Sequence, residues 1–504
     1  MNLDMMVSLN TAEYRDKVYA CWLGKNIGGT MGAPYEGTKD FLDVQGFASE
    51  AGAPLPNDDL DLQLIWLAAV ERCGFPRINA QTLGEFWLSF ISPHWNEYGV
   101  GKANMKMGLL PPLSGDYQNS WKHSNGAWIR SEIWACLNPA RPDLAAKFAV
   151  EDACVDHGTG EGTNAAIFVA TMQSAAFVLP DVRECISVAL SKLPKDCRVA
   201  QSVRLAMKCY DDGIAPREAR DTIQKSNADI GDGWFEAPSN VAYVVLGLLY
   251  GEGDFKKSMI YAINCGDDTD CTAATVGATL GILYGTKALP KDWCEHIGDE
   301  IVTVSIDKGT ICDIPKTCTE LTERVVKQAT IALQLDHFYP FWDIGWERVQ
   351  LVDGPTHVPQ GLAENHRQCP LFAEFMRDLI PYSVSACSDH IRAVLSAPDG
   401  IDIKPGEEIR LRLRCVNNSD IASAWHVPAR LSVRWWLPDG CTISGQQSIA
   451  LHGYQPTRRP QEAYAEAEYV LHVGESITAH NRIVAEITAN GRAQALYIPL
   501  ILMG

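Results

Sequence analysis

Two short runs of oxygen-bearing side chains carry the clearest chemistry in this sequence. Pro56 is followed by Asn57-Asp58-Asp59-Leu60-Asp61, and Gly266 by Asp267-Asp268-Thr269-Asp270-Cys271-Thr272, each just ahead of an apolar helical pattern. At a helix start such residues have an ordinary use: Asn and Asp cap free backbone amides, and acids complement the positive end of the helix dipole. Three carboxylates within four positions also repel one another, and a divalent cation is the usual means of holding them together. Oxygen donors without His or Cys at metal-ligand spacing favour Mg2+ or Mn2+ over zinc. Jointly the two runs can furnish opposite sides of a site for two cations about 3.5–4 Å apart, provided the fold brings them together.

A third element runs from Gly24 to Gly37 and is rich in glycine. Its backbone N–H groups can cradle a phosphate, although the spacing fits neither the P-loop nor the dinucleotide fingerprint. The alternative is a helix packed closely on a neighbour and ending in a loop. Glu36, close to Pro34 and Gly37, is a candidate acid/base carboxylate, the alternative being a solvated loop side chain. Of the 14 tryptophans, one or two can stack on a base or sugar, and the rest suit core or interface positions.

Helices must position these residues. From about residue 11 to 335 apolar side chains recur at three- and four-residue spacing, as over 61–72, 163–179, 241–250 and 271–284. Small residues such as Ala165, Ala166, Ala170, Ala273, Ala274, Gly277, Ala278 and Gly281 let helix axes approach closely, which predicts a compact bundle of many helices and no parallel sheet. Prolines at 340, 355, 359, 370 and 381 make 336–386 an irregular connector packed on the helical domain. From 387 to 504 the period changes to two. Strands are expected over 409–416, 429–436, 463–473, 483–489 and 493–501, with turns at Lys404-Pro405-Gly406, Asn417-Asn418-Ser419, Pro438-Asp439-Gly440 and Asn490-Gly491. That pattern predicts an antiparallel, immunoglobulin-like β-sandwich serving as an accessory domain. Adjacent Trp435 and Trp436 face opposite sides of a strand, one toward the core and one free. With Trp425, they suit contact with carbohydrate, a protein partner or a second copy of the chain.

A chain of 504 residues exceeds what one hydrophobic core holds, so at least two domains are expected. With 46% apolar and 21% charged residues it is globular. The net charge of -19 argues against nucleic acid, whose binding draws on Lys and Arg. A phosphate-bearing small substrate remains compatible, because helix N-termini, a few basic side chains or bound cations can hold it locally. Residues 1–11 contain Asp4 and no sustained apolar stretch, so no secretory signal is expected, and no apolar run is long enough for a membrane span. The 16 cysteines lack any C-x-x-C pair and suit buried thiols in a reducing cytoplasm.

In this order, the three elements resemble the motifs of the ADP-ribosylglycohydrolase family. Gly24 to Gly37 is similar to its N-terminal signature, Asn57-Asp58-Asp59 to its Thr-Asp-Asp, and Asp268-Thr269-Asp270-Cys271 to its Asp-Thr-Asp-Thr. Between them, Asn125-Gly126-Ala127-Trp128-Ile129-Arg130 resembles Asn-Gly-x-x-Met-Arg, and Asp156-His157-Gly158 stands where the family often has Thr-His. The resemblance covers roughly residues 11 to 335. It implies an all-α orthogonal bundle with two Mg2+ ions, or Mn2+ in some members. Carried over by position, the ligands are Asn57, Asp58, Asp59, Asp268 and Asp270, with Cys271 where a threonine normally stands. Asn57 keeps a neutral oxygen donor, whereas the Cys271 sulfur is a poor match for Mg2+. Thr269, Thr272 or a water are alternative donors at that place.

The resemblance implies hydrolysis of a glycosidic bond to ribose. Positive charge developing on the sugar ring is stabilised by nearby carboxylates, one of which accepts the proton of the attacking water. Glu36 is the first candidate for that role, with Asp58 or Asp59 next. Asn125, Gly126 and the loop around Gly115 are expected to line the substrate pocket. His157 either contacts diphosphate or ribose, or caps a helix. The leading substrate is an ADP-ribosylated protein side chain, arginine being commonest in the family. A small ribosyl compound or nucleoside is the alternative, and a non-catalytic ribosyl-binding protein is the alternative of a different class.

Overall fold

The computed structural model describes residues 5–52, 54–231, 233–307, 309, 311, 313–335, 347–369, 371–377, 379–388, 391–417, 429–451 and 464–504. Two hydrophobic cores organise it, one among the helices up to residue 376 and one between the sheets that follow. At the centre of the first lie helices Glu161–Ala176, Ala237–Tyr250 and Thr269–Tyr284, buried on nearly every residue. Outer helices such as Arg198–Asp211 and Pro216–Ser226 bury one apolar face only, as the three- and four-residue spacing requires. No helix among the described residues is long and apolar enough to cross a membrane.

One contact between helices sets the site. Thr11–Gly32 lies along Thr269–Tyr284 with backbones nearly touching: a Cβ on Gly24 would lie 2.3 Å from the Gly277 carbonyl oxygen, and one on Gly28 2.3 Å from the Ala273 carbonyl carbon. Glycine every fourth residue presents one bare stripe, and the small face of the second helix fills it. The glycine-rich segment is therefore helical through Gly32. Its glycines serve packing, and the phosphate-cradle alternative is set aside, because N–H groups inside a helix are already bonded.

A parallel strand pair, unexpected from the sequence, joins β1 (Met5–Asn10) to β2 (Glu347–Val352), with Ser8 opposite Gln350. Both strands are short and widely separated in sequence, so neither local period nor a crossover signal announces the pairing. Helix Leu362–Gln368 is tied to the bundle by Lys192, which donates to the His366 carbonyl at 2.6 Å and pairs with Asp143 at 3.0 Å.

The β-rich part contains β3 (Ser383–Cys387), β4 (Ile391–Ser396), β5 (Glu408–Asn417), β6 (Ala429–Trp436), β7 (Thr442–Gly445), β8 (Ser448–Leu451), β9 (Tyr464–His472), β10 (His480–Ala489) and β11 (Ala495–Met503). They form two antiparallel sheets, ordered β11-β10-β6-β8 and β3-β4-β5-β9-β7. Leu411, Leu413 and Cys415 from one face Leu431, Val433, Ile483, Ala485 and Ile487 from the other, and Leu109 and Leu113 of the helical part join this core. The five expected strands match β5, β6, β9, β10 and β11, while β3, β4, β7 and β8 are additional to them. Gly406, Gly440 and Gly491 turn with φ of 74°, 80° and 80°. Trp435 packs edge-on against Tyr469, whereas Trp436 lines a groove of about 640 Å3 beside helix Ala80–Phe90. Trp425 and most of the expected turn at 417–419 lie outside the described residues.

Candidate active site

The two acidic runs meet. Asn57 caps helix Asp58–Cys73, its Oδ1 accepting from the Asp59 amide at 2.8 Å, and a Cβ on Gly29 would collide with its Nδ2. Asp268 stands at the start of helix Thr269–Tyr284 without a side-chain cap bond, which leaves its carboxylate free to turn inward. Ahead of it, Gly266 and Asp267 have φ of 72° and 65°, a tight turn bridged to the loop after Glu36: Gly37 donates to the Asp267 carbonyl at 2.8 Å and Asp267 to the Thr38 carbonyl at 2.6 Å. That bridge brings Glu36 to the second acidic run.

Two sets of ligand atoms result. Asp59, Asp270 and Cys271 offer atoms within 4.8 Å of one another, and so do Glu36, Asp268 and Asp270, so Asp270 belongs to both. The remaining acids of the runs are used differently. Asp61 accepts the amides of Val304 at 2.6 Å and Ser305 at 2.5 Å, and Asp267 pairs with Lys39 at 3.1 Å and accepts from Asn240 at 3.0 Å.

Crowding of like charge in a dry place raises the carboxyl pKa values. Burial, then the charge of Asp270, pushes Asp58 up to about 6 against the hydrogen bond from the Tyr98 hydroxyl, which is 3.0 Å from its Oδ2. Glu36 is exposed at the rim, yet partial desolvation and the charges of Asp270 and Asp58 push it up to about 8. Burial raises Asp59 and Asp268 well above the usual carboxylate range, with Asp270 adding to both, and burial likewise keeps the Cys271 thiol protonated. Three oxygens, Asp59 Oδ2, Asp268 Oδ1 and Asp270 Oδ1, are buried with no hydrogen-bond partner among the described residues. Buried carboxylate oxygens left without donors are costly unless a cation meets them. The donor set is dominated by hard oxygen and fits divalent cations of the Mg2+ or Mn2+ type.

Behind this cluster lies a buried cation that no motif announced. Lys25 Nζ is 3.1 Å from Glu132 Oε1 and 3.8 Å from Asp59 Oδ2. Gln63 ties the same Glu132 to the helix start, donating to Glu132 Oε2 and to the Asp59 carbonyl at 3.0 Å each. Lys25 sits inside the glycine-rich segment, and a lone charge on an otherwise apolar helix stripe is the one signal it gives. Tyr98 and Gln63 give none.

The residues expected to line the pocket divide. Asn125 donates to Asp268 Oδ2 at 2.6 Å and is itself fixed by Trp128 Nε1 at 2.9 Å, so it adjoins the cluster directly. Gly126 lies against Glu97, whose Oε1 would be 2.2 Å from an added Cβ, and its carbonyl accepts from Arg130 at 2.7 Å. Gly115 packs on the Gly158 amide, which would be 2.1 Å from a Cβ, and is a packing glycine. His157 is fully enclosed, with Nδ1 2.9 Å from Asp156 Oδ1 and Nε2 3.2 Å from Ser124 Oγ. Both ring nitrogens are engaged and the side chain is enclosed, so in this structure His157 braces the segment carrying Asn125 from behind. Arg130 closes this network, pairing with Asp152 at 2.8 Å and Asp156 at 2.7 Å; burial opposes the charge of Asp156, but Arg130 and His157 hold its pKa down at about 2. At the rim stand two half-exposed indoles, Trp95 stacked on Tyr98, and Trp234 with Lys39 Nζ 4.5 Å above its ring.

A family model described as ADP-ribosylglycohydrolase matches residues 10–329. A solved structure described as an ADP-ribosylglycohydrolase-related protein complex is similar at 20% identity, covering 63% of this chain and 97% of that one, with a TM-score of 0.41. No curated protein matches the chain.

Proposed function

From its place in the ADP-ribosylglycohydrolase family, to which this chain belongs, we propose that it removes ADP-ribose from a modified substrate by metal-dependent hydrolysis of the glycosidic bond to ribose. The observation that carries this reading is the set of three buried carboxylate oxygens on Asp59, Asp268 and Asp270 that receive no hydrogen bond among the described residues, gathered from two helix starts with Glu36 at their rim.

Asn57, Asp58, Asp59, Asp268, Asp270 and Cys271 are the residues that would hold two Mg2+ ions, with Mn2+ as substitute. When bound, the cations supply positive charge that orients ribose hydroxyls and acidifies water. The chain's own groups do the rest. Asn125 fixes the Asp268 carboxylate, and Tyr98 fixes Asp58. Glu36, exposed and with its pKa pushed up to about 8, accepts the proton of the attacking water as the aglycone leaves, and anionic carboxylates around it stabilise the charge that builds on the ring. Lys39 and the Trp234 ring beside the same loop offer a cation and a flat apolar face to a phosphate-bearing nucleotide.

Residues 11–335 form the catalytic domain in this reading, 336–386 a connector and 387–504 an accessory domain. The many buried cysteines among the described residues, Cys21, Cys136 and Cys265 for example, suit a reducing cytoplasm. The test is product release from ADP-ribosyl-arginine, ADP-ribosyl-serine, O-acetyl-ADP-ribose and simple ribonucleosides, each with Mg2+, with Mn2+ and with chelator. Chelator-sensitive release of ADP-ribose supports the proposal and names the linkage. Ribose released from nucleosides alone would replace the substrate, metal binding without turnover would point to a different ribosyl substrate, and neither metal nor turnover would leave a binding protein.

A further inference from the structure

The two sets of donors that share Asp270 are chemically unequal. Glu36, Asp268 and Asp270 offer carboxylate oxygen alone, whereas Asp59 and Asp270 are joined by the sulfur of Cys271. All four of the inner residues are at least nine-tenths buried, with 0% exposure for Asp59, 4% for Asp268, 6% for Asp270 and 5% for Cys271. The sulfur is directed into the cluster, its S–H donating to Asp59 Oδ1 at 3.2 Å.

The neighbouring hydroxyls are turned toward backbone. Thr269 Oγ1 donates to the Gly32 carbonyl at 2.8 Å, on the side of the glycine-rich helix, and Thr272 Oγ1 to the Thr269 carbonyl at 3.3 Å. Both hydroxyls are turned to backbone carbonyls, while the Cys271 sulfur lies with an Asp59 and an Asp270 oxygen in one set within 4.8 Å. Charge differs as well. Asp59 Oδ2 has the Lys25 ammonium 3.8 Å away, and Asp270 is shared, so less negative charge is left here for a cation than on the Glu36 side. A small hard ion such as Mg2+ demands charge and oxygen, while a sulfur donor compensates for less charge with a more covalent bond to a borderline ion.

We propose that the pair of subsites is mixed: Asp59, Asp270 and Cys271 take a thiophilic divalent cation of the Zn2+ or Co2+ type through sulfur, and Glu36, Asp268 and Asp270 take Mg2+ or Mn2+. Coordination replaces the Cys271 S–H bond by a sulfur–metal bond and releases the proton to solvent, with no change of oxidation state. The inference rests on the reading that this cluster holds two cations, and it replaces one of the two Mg2+ ions by a thiophilic one.

The experiment is titration of the metal-free full-length chain with Co2+ alone, followed by near-ultraviolet absorption and by calorimetry, with circular dichroism to verify the fold of each variant. Binding accompanied by a thiolate-to-cobalt charge-transfer band is expected. The band is lost in Cys271→Thr and in Asp59→Asn, and kept in Asp268→Asn, whose oxygen belongs to the other half. Mg2+ added first leaves the band in place. Co2+ bound with no such band, or a band that survives Cys271→Thr, overturns the mixed site while leaving the proposed function standing. Failure of Co2+ and Mg2+ alike to bind overturns both.

Discussion

A Cβ placed on Gly32 would lie 2.3 Å from the carbonyl oxygen of Thr269. The end of one helix and the start of another are thus in backbone contact at the point where Glu36 and Asp270 leave them, and the spacing of the acidic cluster is set by that contact.

Substituting Gly28 or Gly32 by Ala should therefore damage the site without replacing a candidate ligand. Backbone on the facing helix cannot give way as a flexible side chain would, so the helices must part. Overpacking of this kind costs about 1–3 kcal/mol. We expect a lowered denaturation midpoint and weaker cation binding, read by chemical denaturation and calorimetry on the same variants. Gly37→Ala has open space around it, and its cost comes from a φ of 79° alone. Equal loss of cation affinity in all three variants would show that packing against Thr269–Tyr284 does not set the cluster.

Removal of Lys25 should be severe for a different reason. Glu132 and Asp59 would both lose the buried ammonium beside them. Truncating one member of a buried ion pair costs about 3–5 kcal/mol. Lys25→Met should unfold at markedly lower denaturant than the parent, and adding Glu132→Gln should recover part of the loss. A double variant no more stable than Lys25→Met would rule out the pairing as the cause.

How far the site can be read from sequence follows from these same residues. The acidic runs are legible because carboxylates that repel one another at the mouths of apolar helices call for a cation between them, and the small residues of Thr269–Tyr284 are legible as a packing face. The strands β5, β6, β9, β10 and β11 are legible by alternation. What stays hidden depends on partners distant in the chain. Lys25 looks like any charge until Glu132, 107 residues on, is seen against it. Tyr98 belongs to no motif and is recruited by Asp58. His157 reads from sequence either as a ligand contact or as a helix cap, and its burial beside Asp156 and Ser124 is visible in the fold alone. Strands β1 and β2 pair across some 340 residues, beyond the reach of any local pattern.

Stability should depend on pH in opposite ways with and without metal. In the metal-free chain Asp58 is raised from 3.8 to about 6 and Glu36 from 4.5 to about 8. The folded state then binds protons more tightly than the unfolded one, so the stability these groups contribute is full below their unfolded values and is lost as pH rises through about 6 and about 8. Divalent cations favour the ionised carboxylates and should reverse the slope. Thermal unfolding with chelator should show a midpoint falling between pH 5 and pH 8, and Mg2+ should raise it most at the alkaline end. A midpoint indifferent to Mg2+ at pH 8 would remove the cation from this cluster.

The roles of Glu36, Asp58 and Asp268 can be separated by activity. Asp268→Ala removes a carboxylate that both holds a cation in our proposal and receives Asn125, and Asp58→Ala removes the partner of Tyr98; each should abolish turnover, by roughly a thousandfold or more, in a chain that still folds. Glu36 is exposed at the rim of the cluster, so Glu36→Gln should leave the fold stable, weaken the Mg2+ half of the site and slow the chemical step by about 10^2–10^4-fold. Its pH profile is the decisive readout. Loss of the proton acceptor should abolish the rise of rate with pH that the parent shows as Glu36 ionises, whereas a residue that merely shapes the loop would lower the rate at every pH alike. Full activity of Glu36→Gln, with the parent's pH profile, would move the proton-accepting role to Asp58 or Asp59.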